Sequence, residues 1–562
     1  MKLLDTDISN SVYCFFKSKA NALRSLKEAN ELLQNECGIK NFFVNKTELL
    51  NIVEELNETK ISETCESKSE YGDFQTNQVL TIQITKKLKA EGVSPKFVIE
   101  PTCGKGHFIL ATLRTFDDIE KVYGVEIQEK YTWQAKFNIL DFFLNNPREI
   151  KPEIHIIHSS IFDFDYHSIK SVIGENELLI IGNPPWVTNS ELSAMNSKNL
   201  PKKSNFKQYN GLDAMTGKGN FDIAEYITID LLRNFGKCMG NMAFLVKNTV
   251  IKNIVYDIPK LKLPISDMRK QNIDSKKEFD VSVDASLFIC KLNQETEYSC
   301  QESDFYTSEV KCDFGWKNDK FMSVLSTNND IDGLSPFVWR QGIKHDCSKV
   351  MEIESNGDFF INKLGEQFLL EKDLVYPLLK SSDLKGSIAN LTRKQTIITQ
   401  RYVGQDTSYI KKYPQTFDYL NSHIDLFRMR KSSIYKGKYD FSIFGIGDYS
   451  FKPYKIAISG LYKTFHFCLV KPQDEKPVML DDTCYFIGFD TLEQAEYIWK
   501  LLNSDIVADL LKSISFRDSK RMITKDILMR IDLRKVACIK GYNTSFFDEF
   551  EKKQNCQLNL FS

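Results

Sequence analysis

The sequence predicts an α/β protein with a mostly parallel sheet, and three observations carry that reading. Between Tyr71 and Leu292, short apolar runs alternate with helical stretches, the pattern of strands that return in one direction through helices. Phe97-Val-Ile-Glu-Pro-Thr-Cys-Gly-Lys-Gly106 puts an acidic residue at the end of one run and two glycines in the turn after it. Leu178 to Ile181 is another run, closed by Gly182 and then by Asn183, Pro184, Pro185 and Trp186. Proline fixes φ and has no N–H to donate, so the strand stops at this tetrad and leaves carbonyls facing a ligand.

The elements follow in order. Residues 1–65 read as a polar helical segment, with Ala20 to Leu33 clearly amphipathic, ahead of a polar break from Glu63 to Glu70. Strands are expected at Lys96–Ile99, Val122–Glu126, Ile154–His158, Leu178–Ile181, Met242–Val246 and Ser286–Lys291. Helices are expected at Phe108–Arg114, from Glu129, and at Phe221–Phe235. Asn293 to Ser335 is polar and turn-rich, a domain boundary that assigns 66–300 to a first domain. Residues 301–548 mix short strands and turns with two late helices, Leu492–Asn503 and Ser504–Ser513, an α+β pattern. The polar stretch 549–562 reads as a loose tail.

At 562 residues, 42% hydrophobic and 27% charged, the chain can bury two or three cores. No apolar run reaches the length of a membrane span, and the opening MKLLDTDISNSVYCFFKSKA has early acids and no long apolar region. The expected location is therefore the cytoplasm of a bacterium or archaeon, with no membrane partner. Thirteen cysteines without CxxC pairs, and seven histidines without HExxH, point to free thiols and no metal. Net charge is −1, but Leu379 to Lys463 holds 15 Lys/Arg against 6 Asp/Glu. Arg428, Arg430, Lys431, Lys436 and Lys438 fall there between two aspartates, interleaved with Phe427, Tyr435 and Tyr439. Basic residues mixed with aromatics are the footprint of a phosphate-backbone contact surface.

The tetrad suits methyl transfer to a planar exocyclic amino group, whose lone pair is delocalised into a ring. The Asn183 side-chain oxygen and the Pro184 carbonyl supply two acceptors for its N–H groups, and the Trp186 indole a stacking plane. The glycine turn lacks the third glycine of GxGxxG and is not a Walker A loop, so a nucleotide-like ligand without phosphates, S-adenosylmethionine, fits it. Glu126 ends the next strand, where a ribose diol is bound in dinucleotide folds. Thr76, in Tyr71-Gly-Asp-Phe-Gln-Thr76, is placed as the N-cap of a helix whose free N–H groups hold a carboxylate. Taken singly, Glu100 and Glu126 read equally as solvated acids, and the glycines and prolines as plain turns. Their order and spacing favour the joint reading.

On these motifs the chain resembles the amino-methyltransferase family of DNA modification enzymes, in the motif order of its gamma class. The resemblance covers most of residues 71–292. It implies a Rossmann-like S-adenosylmethionine-dependent methyltransferase domain followed by an α+β target-recognition domain. It implies that Tyr71, Phe74, Thr76, Glu100, Pro101, Cys103, Gly104, Gly106, Glu126, Ile127 and Asn183 hold the cofactor. The family often has an acid after the third strand for the adenine ring; here Ser160 stands at that place and Asp163 is the nearby candidate. Lys277-Glu-Phe-Asp-Val-Ser-Val-Asp-Ala-Ser-Leu-Phe-Ile resembles a late motif whose aromatic, here Phe279, packs with Trp186 on a flipped base. Gly219-Asn-Phe-Asp222-Ile-Ala-Glu225 resembles the helix after the catalytic loop.

Trp339-Arg-Gln-Gly-Ile-Lys-His-Asp346 and the stretch from Glu371 to Asp383 look like target-recognition segments of such enzymes. Arg340, Lys344, Arg401, Arg428, Arg430, Lys431, Lys436 and Lys438 are the implied contacts to double-stranded DNA. The implied activity is methylation of adenine N6, with Asn rather than Ser at position 183 leaning that way. Cytosine-N4 methylation, methylation of a protein glutamine amide, and a degenerate DNA-binding protein stay open. Residues 1–65 are too few for a fused nuclease, so a separate restriction endonuclease is carried as a candidate partner.

Overall fold

The computed structural model describes residues 2–57, 75–194, 221–326, 330–389, 392–516 and 521–548. The chain divides into two compact units, Met1–Phe321 and Met322–Ser562. In the first, the strands of the large sheet are β1 (Phe97–Glu100), β2 (Lys121–Glu126), β3 (Glu153–His158), β4 (Leu178–Gly182), β5 (Gly240–Lys247), β6 (Ile265–Asn272), β7 (Ala285–Leu292), β8 (Ser299–Asp304) and β9 (Val310–Lys317). Among the described residues they form one sheet in the order β3-β2-β1-β4-β5-β7-β6-β8-β9, with Lys320–Met322 at its edge. β1 pairs in parallel with both β2 and β4, and β4 with β5, while β7 runs antiparallel between β5 and β6. Every residue of β1 and β4 is buried, as expected of strands covered on both faces. The strand order reverses between β1 and β4, so their C-terminal ends open a crevice.

The first 57 residues do not stand apart as the expected N-terminal segment. Their helices α1 (Asn10–Ser18), α2 (Leu26–Cys37) and α3 (Lys46–Asn57) contribute to the core of the first unit. Phe16 and Phe42 meet Phe137 of the helix Glu129–Asn145 at ring separations of 6.2 and 6.1 Å. Lys136 of that helix is buried and donates to the Phe42 carbonyl at 2.6 Å, its Nζ 4.4 Å from the Trp133 ring. Burial pushes this ammonium down to about 8. Ile39 bridges Ile154 at the outer edge of β3.

β8 and β9 lie inside the stretch read as polar and turn-rich, and they carry the first unit to Phe321, past the expected limit at 300. Ser-Cys-Gln-Glu-Ser-Asp has no apolar run because only Cys300 and Ser303 are buried there, so the strand left no hydrophobic signal. β6 escaped the sequence reading for the same reason.

The second unit carries two further sheets among its described residues. One orders Arg340–Gln341, Cys484–Phe489, Tyr454–Ser459 and Cys468–Val470, all antiparallel. The other orders Gln367–Phe368, Phe359–Asn362, Glu352–Asn356, Lys394–Ile397, Val375–Leu379 and Met479–Leu480. The two late helices, Leu492–Leu502 and Asp505–Ile514, pack with Trp339, Ile456 and Phe467 in one core. No described helix is long and apolar enough to cross a membrane.

Gly240 opens β5 at φ +140°, and a Cβ there would lie 1.9 Å from the Leu178 carbonyl oxygen of β4. Gly240→Ala is expected to cost about 2–4 kcal/mol through strain and a forced separation of the two central strands. Urea unfolding measures it, and a variant as stable as the parent contradicts the close approach.

Candidate functional site

A cavity of about 990 Å³, counting its open mouth, lies at the C-terminal ends of β1, β2 and β4. Glu100 closes β1 and is buried, its Oε2 accepting from the Ile109 N–H at 3.1 Å. The chain then turns through Gly104 at φ +51° and Gly106 at φ +76° into the helix His107–Thr115. Glycine takes these left-handed angles at no steric cost. A Cβ at Gly104 would also stand 2.9 Å from the Gln75 amide. The turn is pinned from β2: Glu126 accepts from the Gly104 N–H at 2.9 Å with Oε2 and from the Gln128 N–H at 2.7 Å with Oε1.

The tetrad enters from β4. Asn183 donates Nδ2 to the Thr76 hydroxyl at 3.2 Å, and its carbonyl accepts from Thr102 at 3.4 Å. Thr76 itself is not the N-cap; Asn77 caps the helix Gln78–Ala90 by accepting from the Val79 N–H. The Thr76 carbonyl instead accepts from His107 Nδ1 at 2.7 Å, so Thr76 ties the glycine-turn helix to Asn183. Burial pushes the His107 imidazole below its ordinary range, against the Thr76 hydrogen bond. Beyond the prolines, the Val187 carbonyl accepts from Ile223 and the Asn189 N–H donates to Phe221, both at 2.9 Å. Half-buried Asp222 caps the helix Ile223–Phe235 and pairs with Lys247 at 2.7 Å.

Of the residues singled out in the sequence, Thr76, Glu100, Pro101, Cys103, Gly104, Glu126, Ile127, Asn183, Pro184, Pro185 and Trp186 all line this cavity. Gly106 does not line it and acts through the turn, packed against Ala135. Asp163 is exposed at the end of a short turn capped by Ser160, and the wall there is Ser159, Ile161 and Phe162. Asp163, the candidate adenine contact, is therefore not part of the cavity wall. Tyr71 and Phe74 fall outside the described residues. Gln75, His107, Gln128 and Tyr131 were missed; three of them flank named site residues directly, and Tyr131 reaches in one helical turn after Gln128.

No open slot separates Trp186 from Phe279. Their rings touch edge to face at 5.0 Å, and the buried indole donates to the Leu245 carbonyl at 3.2 Å. Phe279 ends the short helix Ser275–Phe279 and is only partly buried.

The residues present fit S-adenosylmethionine. Ile127, Ile161, Phe162 and Ile227 offer apolar walls to a purine, Glu126 a carboxylate to a diol, and the glycine turn a bare backbone surface.

In the second unit, Arg340 stacks over Tyr449 at 4.8 Å and Arg401 over Phe451 at 4.2 Å, both exposed. Arg428 pairs with Asp440 at 3.3 Å, and Lys431, Lys436 and Lys438 are exposed. Arg430 is corrected from this surface set. Its guanidinium donates to the carbonyls of Phe427 (2.8 Å), His345 (3.2 Å), Ser442 (2.7 Å) and Asp440 (2.7 Å), and lies 3.7 Å from the Tyr435 ring centre. It braces loops rather than reaching outward.

No family model matches the chain. Type II methyltransferase M.NspV from Nostoc sp. is 40% identical over 477 residues, covering 84% of this chain and 98% of that protein. Among solved structures, the type IIL restriction-modification enzyme MmeI in complex with DNA aligns at TM-score 0.47 and 12% identity, over 85% of this chain and 75% of its own. The type IIG restriction endonuclease BpuSI aligns at TM-score 0.34 and 12% identity, over 94% and 67%.

Burial pushes the Glu100 carboxyl well above the ordinary carboxylate range, opposed by the Ile109 N–H and reinforced by Glu126. A folded-state pKa above the unfolded one gives stability that is full in acid and is lost as pH rises through the elevated value. The ligand-free protein should therefore lose stability as pH climbs above the ordinary carboxylate range, and Glu100→Gln should flatten that slope. Urea unfolding of both proteins across a pH series tests this; parallel slopes contradict it.

Proposed function

The chain belongs to the type II methyltransferases, the modification enzymes of restriction-modification systems, and we propose that it methylates adenine N6 at a specific sequence in duplex DNA. Its cofactor is S-adenosylmethionine, which when bound supplies an electrophilic methyl group. One observation carries the proposal: the Asn183-Pro184-Pro185-Trp186 loop and the Glu100, Gly104 and Glu126 cradle line a single cavity.

The chemistry asks the protein to make a conjugated amino group nucleophilic. With Nδ2 held by Thr76, the Asn183 amide turns its oxygen edge away from Thr76. That edge and the Pro184 carbonyl accept the two N–H bonds of the target, drawing its lone pair out of conjugation. The Trp186 plane, fixed through Leu245, and Phe279 hold the ring between them once Phe279 swings aside. Positioning of this kind supplies most of the rate, and the methylated nitrogen sheds its proton to water without a dedicated base. A base inside a duplex cannot reach such a cavity, so it is flipped out at a cost of a few kcal/mol. The basic and aromatic surface of the second unit offsets that cost through phosphate and base-edge contacts. Residues 66–300 are proposed as the bulk of the catalytic domain and 301–548 as that of target recognition.

Incubation of plasmid DNA with the protein and cofactor, followed by nucleoside mass spectrometry, should yield N6-methyladenine. Recovery of N4-methylcytosine instead would move the enzyme to the cytosine class. Asn183→Ala should bind cofactor with parental affinity by calorimetry and lose methylation by about a hundredfold or more. Turnover within about tenfold of the parent would contradict the role given to Asn183.

Cleavage at the same sequence is assigned to a separate restriction endonuclease. The pure protein with DNA, Mg²⁺ and cofactor should leave the DNA uncut, and site-specific cutting overturns that assignment.

A further inference from the structure

We propose that Lys344 and Asp346 form a base-reading pair that selects one G·C base pair of the target sequence from the major groove; the inference rests on the DNA reading just given. The pair sits on the segment Trp339–Asp346, at the mouth of a cleft of about 1080 Å³ that also takes in Lys431 and Asp482. Lys344 Nζ and Asp346 Oδ2 stand 3.6 Å apart, with side chains 36% and 32% exposed. Both are thus reachable yet partly shielded.

The backbone beneath them is anchored from four directions. Gly342 and Ile343 donate to the carbonyls of Cys484 (3.0 Å) and Leu480 (2.7 Å), and Lys344 exchanges two 2.8 Å hydrogen bonds with Phe444. The Lys344 carbonyl also accepts from Tyr435 at 3.1 Å, and the His345 carbonyl from Arg430 at 3.2 Å. Buried His345 accepts from the Cys347 N–H through Nδ1 at 3.1 Å, and burial pushes its imidazole down to about 4 despite nearby Glu352. Asp346 sits at φ +51°, a left-handed conformation that aspartate adopts readily in turns. An ordinary surface ion pair needs none of this; Arg428 and Asp440 pair at 60% and 43% exposure on flexible side chains. A recognition pair does need it, because discrimination between base edges requires donors and acceptors fixed to within a fraction of an ångström.

The chemistry selects the base pair. In the major groove a G·C pair presents two adjacent acceptors, guanine N7 and O6, beside the cytosine N4 donor. A cationic donor next to a carboxylate acceptor mirrors that edge: Lys344 donates to guanine and Asp346 accepts from cytosine. An A·T pair alternates acceptor, donor, acceptor, and a reversed C·G pair sets the carboxylate against guanine oxygen. A·T and C·G thus each leave a charge facing its like, while T·A keeps an acceptor beside a donor but sets the thymine methyl where Lys344 needs guanine N7.

The test measures methylation of duplex pools in which each position of the wild-type site is varied in turn. Lys344→Ala and Asp346→Asn are compared with the parent and with Lys431→Ala, and folding is checked by cofactor binding. Asn tolerates left-handed backbone, so the second variant preserves the loop. Both variants should lose about tenfold or more of discrimination at the same G·C position and keep it elsewhere. Lys431→Ala should slow all sequences alike and reduce the salt dependence, as a phosphate contact does. Uniform loss in the two test variants, an unchanged profile, or relaxation at an A·T position overturns the proposal while leaving the DNA methyltransferase reading intact. A wild-type protein that methylates no duplex overturns both.

Discussion

Parallel pairing of β1 with both β2 and β4 is the constraint on which the first unit depends. It forces the glycine turn after β1, the carboxylate after β2 and the proline tetrad after β4 to leave the sheet at one end. One carboxylate then sets their spacing. Glu126 takes the N–H groups of Gly104 and Gln128, and the helix that follows the turn brings His107 to Thr76 and so to Asn183. The glycine turn and the proline tetrad are thus linked through three side chains rather than merely adjacent.

The second unit solves a different problem, the rigid display of polar groups from loops. Its small sheets leave long connections, and a half-buried arginine holds several of them by giving its donors to backbone carbonyls. Such groups would be costly if left unsatisfied, so Arg430 fixes loop geometry as firmly as a strand pairing does. The surrounding Arg and Lys residues, stacked on aromatics or exposed, remain for solvent or nucleic acid.

Much of this was legible in the chain. The runs Phe97–Ile99 and Leu178–Ile181 announced central strands because both faces of those strands are buried, which demands unbroken apolar sequence. β6, β8 and β9 were not legible, since polar residues dominate strands that bury only some positions. The site motifs were readable because strict local needs fix them: left-handed glycines, a strand-stopping proline pair and a carboxylate at a strand end. Gln75, His107 and Tyr131 carried no such local mark. Thr76 was placed in the cavity, but its part as the bridge between His107 and Asn183 was hidden, as was the bracing by Arg430, because both depend on partners far away in sequence.

The sequence by itself determined the α/β class, the central strands, the glycine turn and the proline tetrad, since each follows from short-range sterics or from burial on both faces. Tertiary structure alone decided that the N-terminal helices complete the first core, that Phe279 rests against Trp186, that Asp163 faces solvent and that Arg430 is an internal brace. Those outcomes turn on which groups meet across hundreds of residues, and contact between distant side chains leaves no periodic or local trace for a reader of the chain to find.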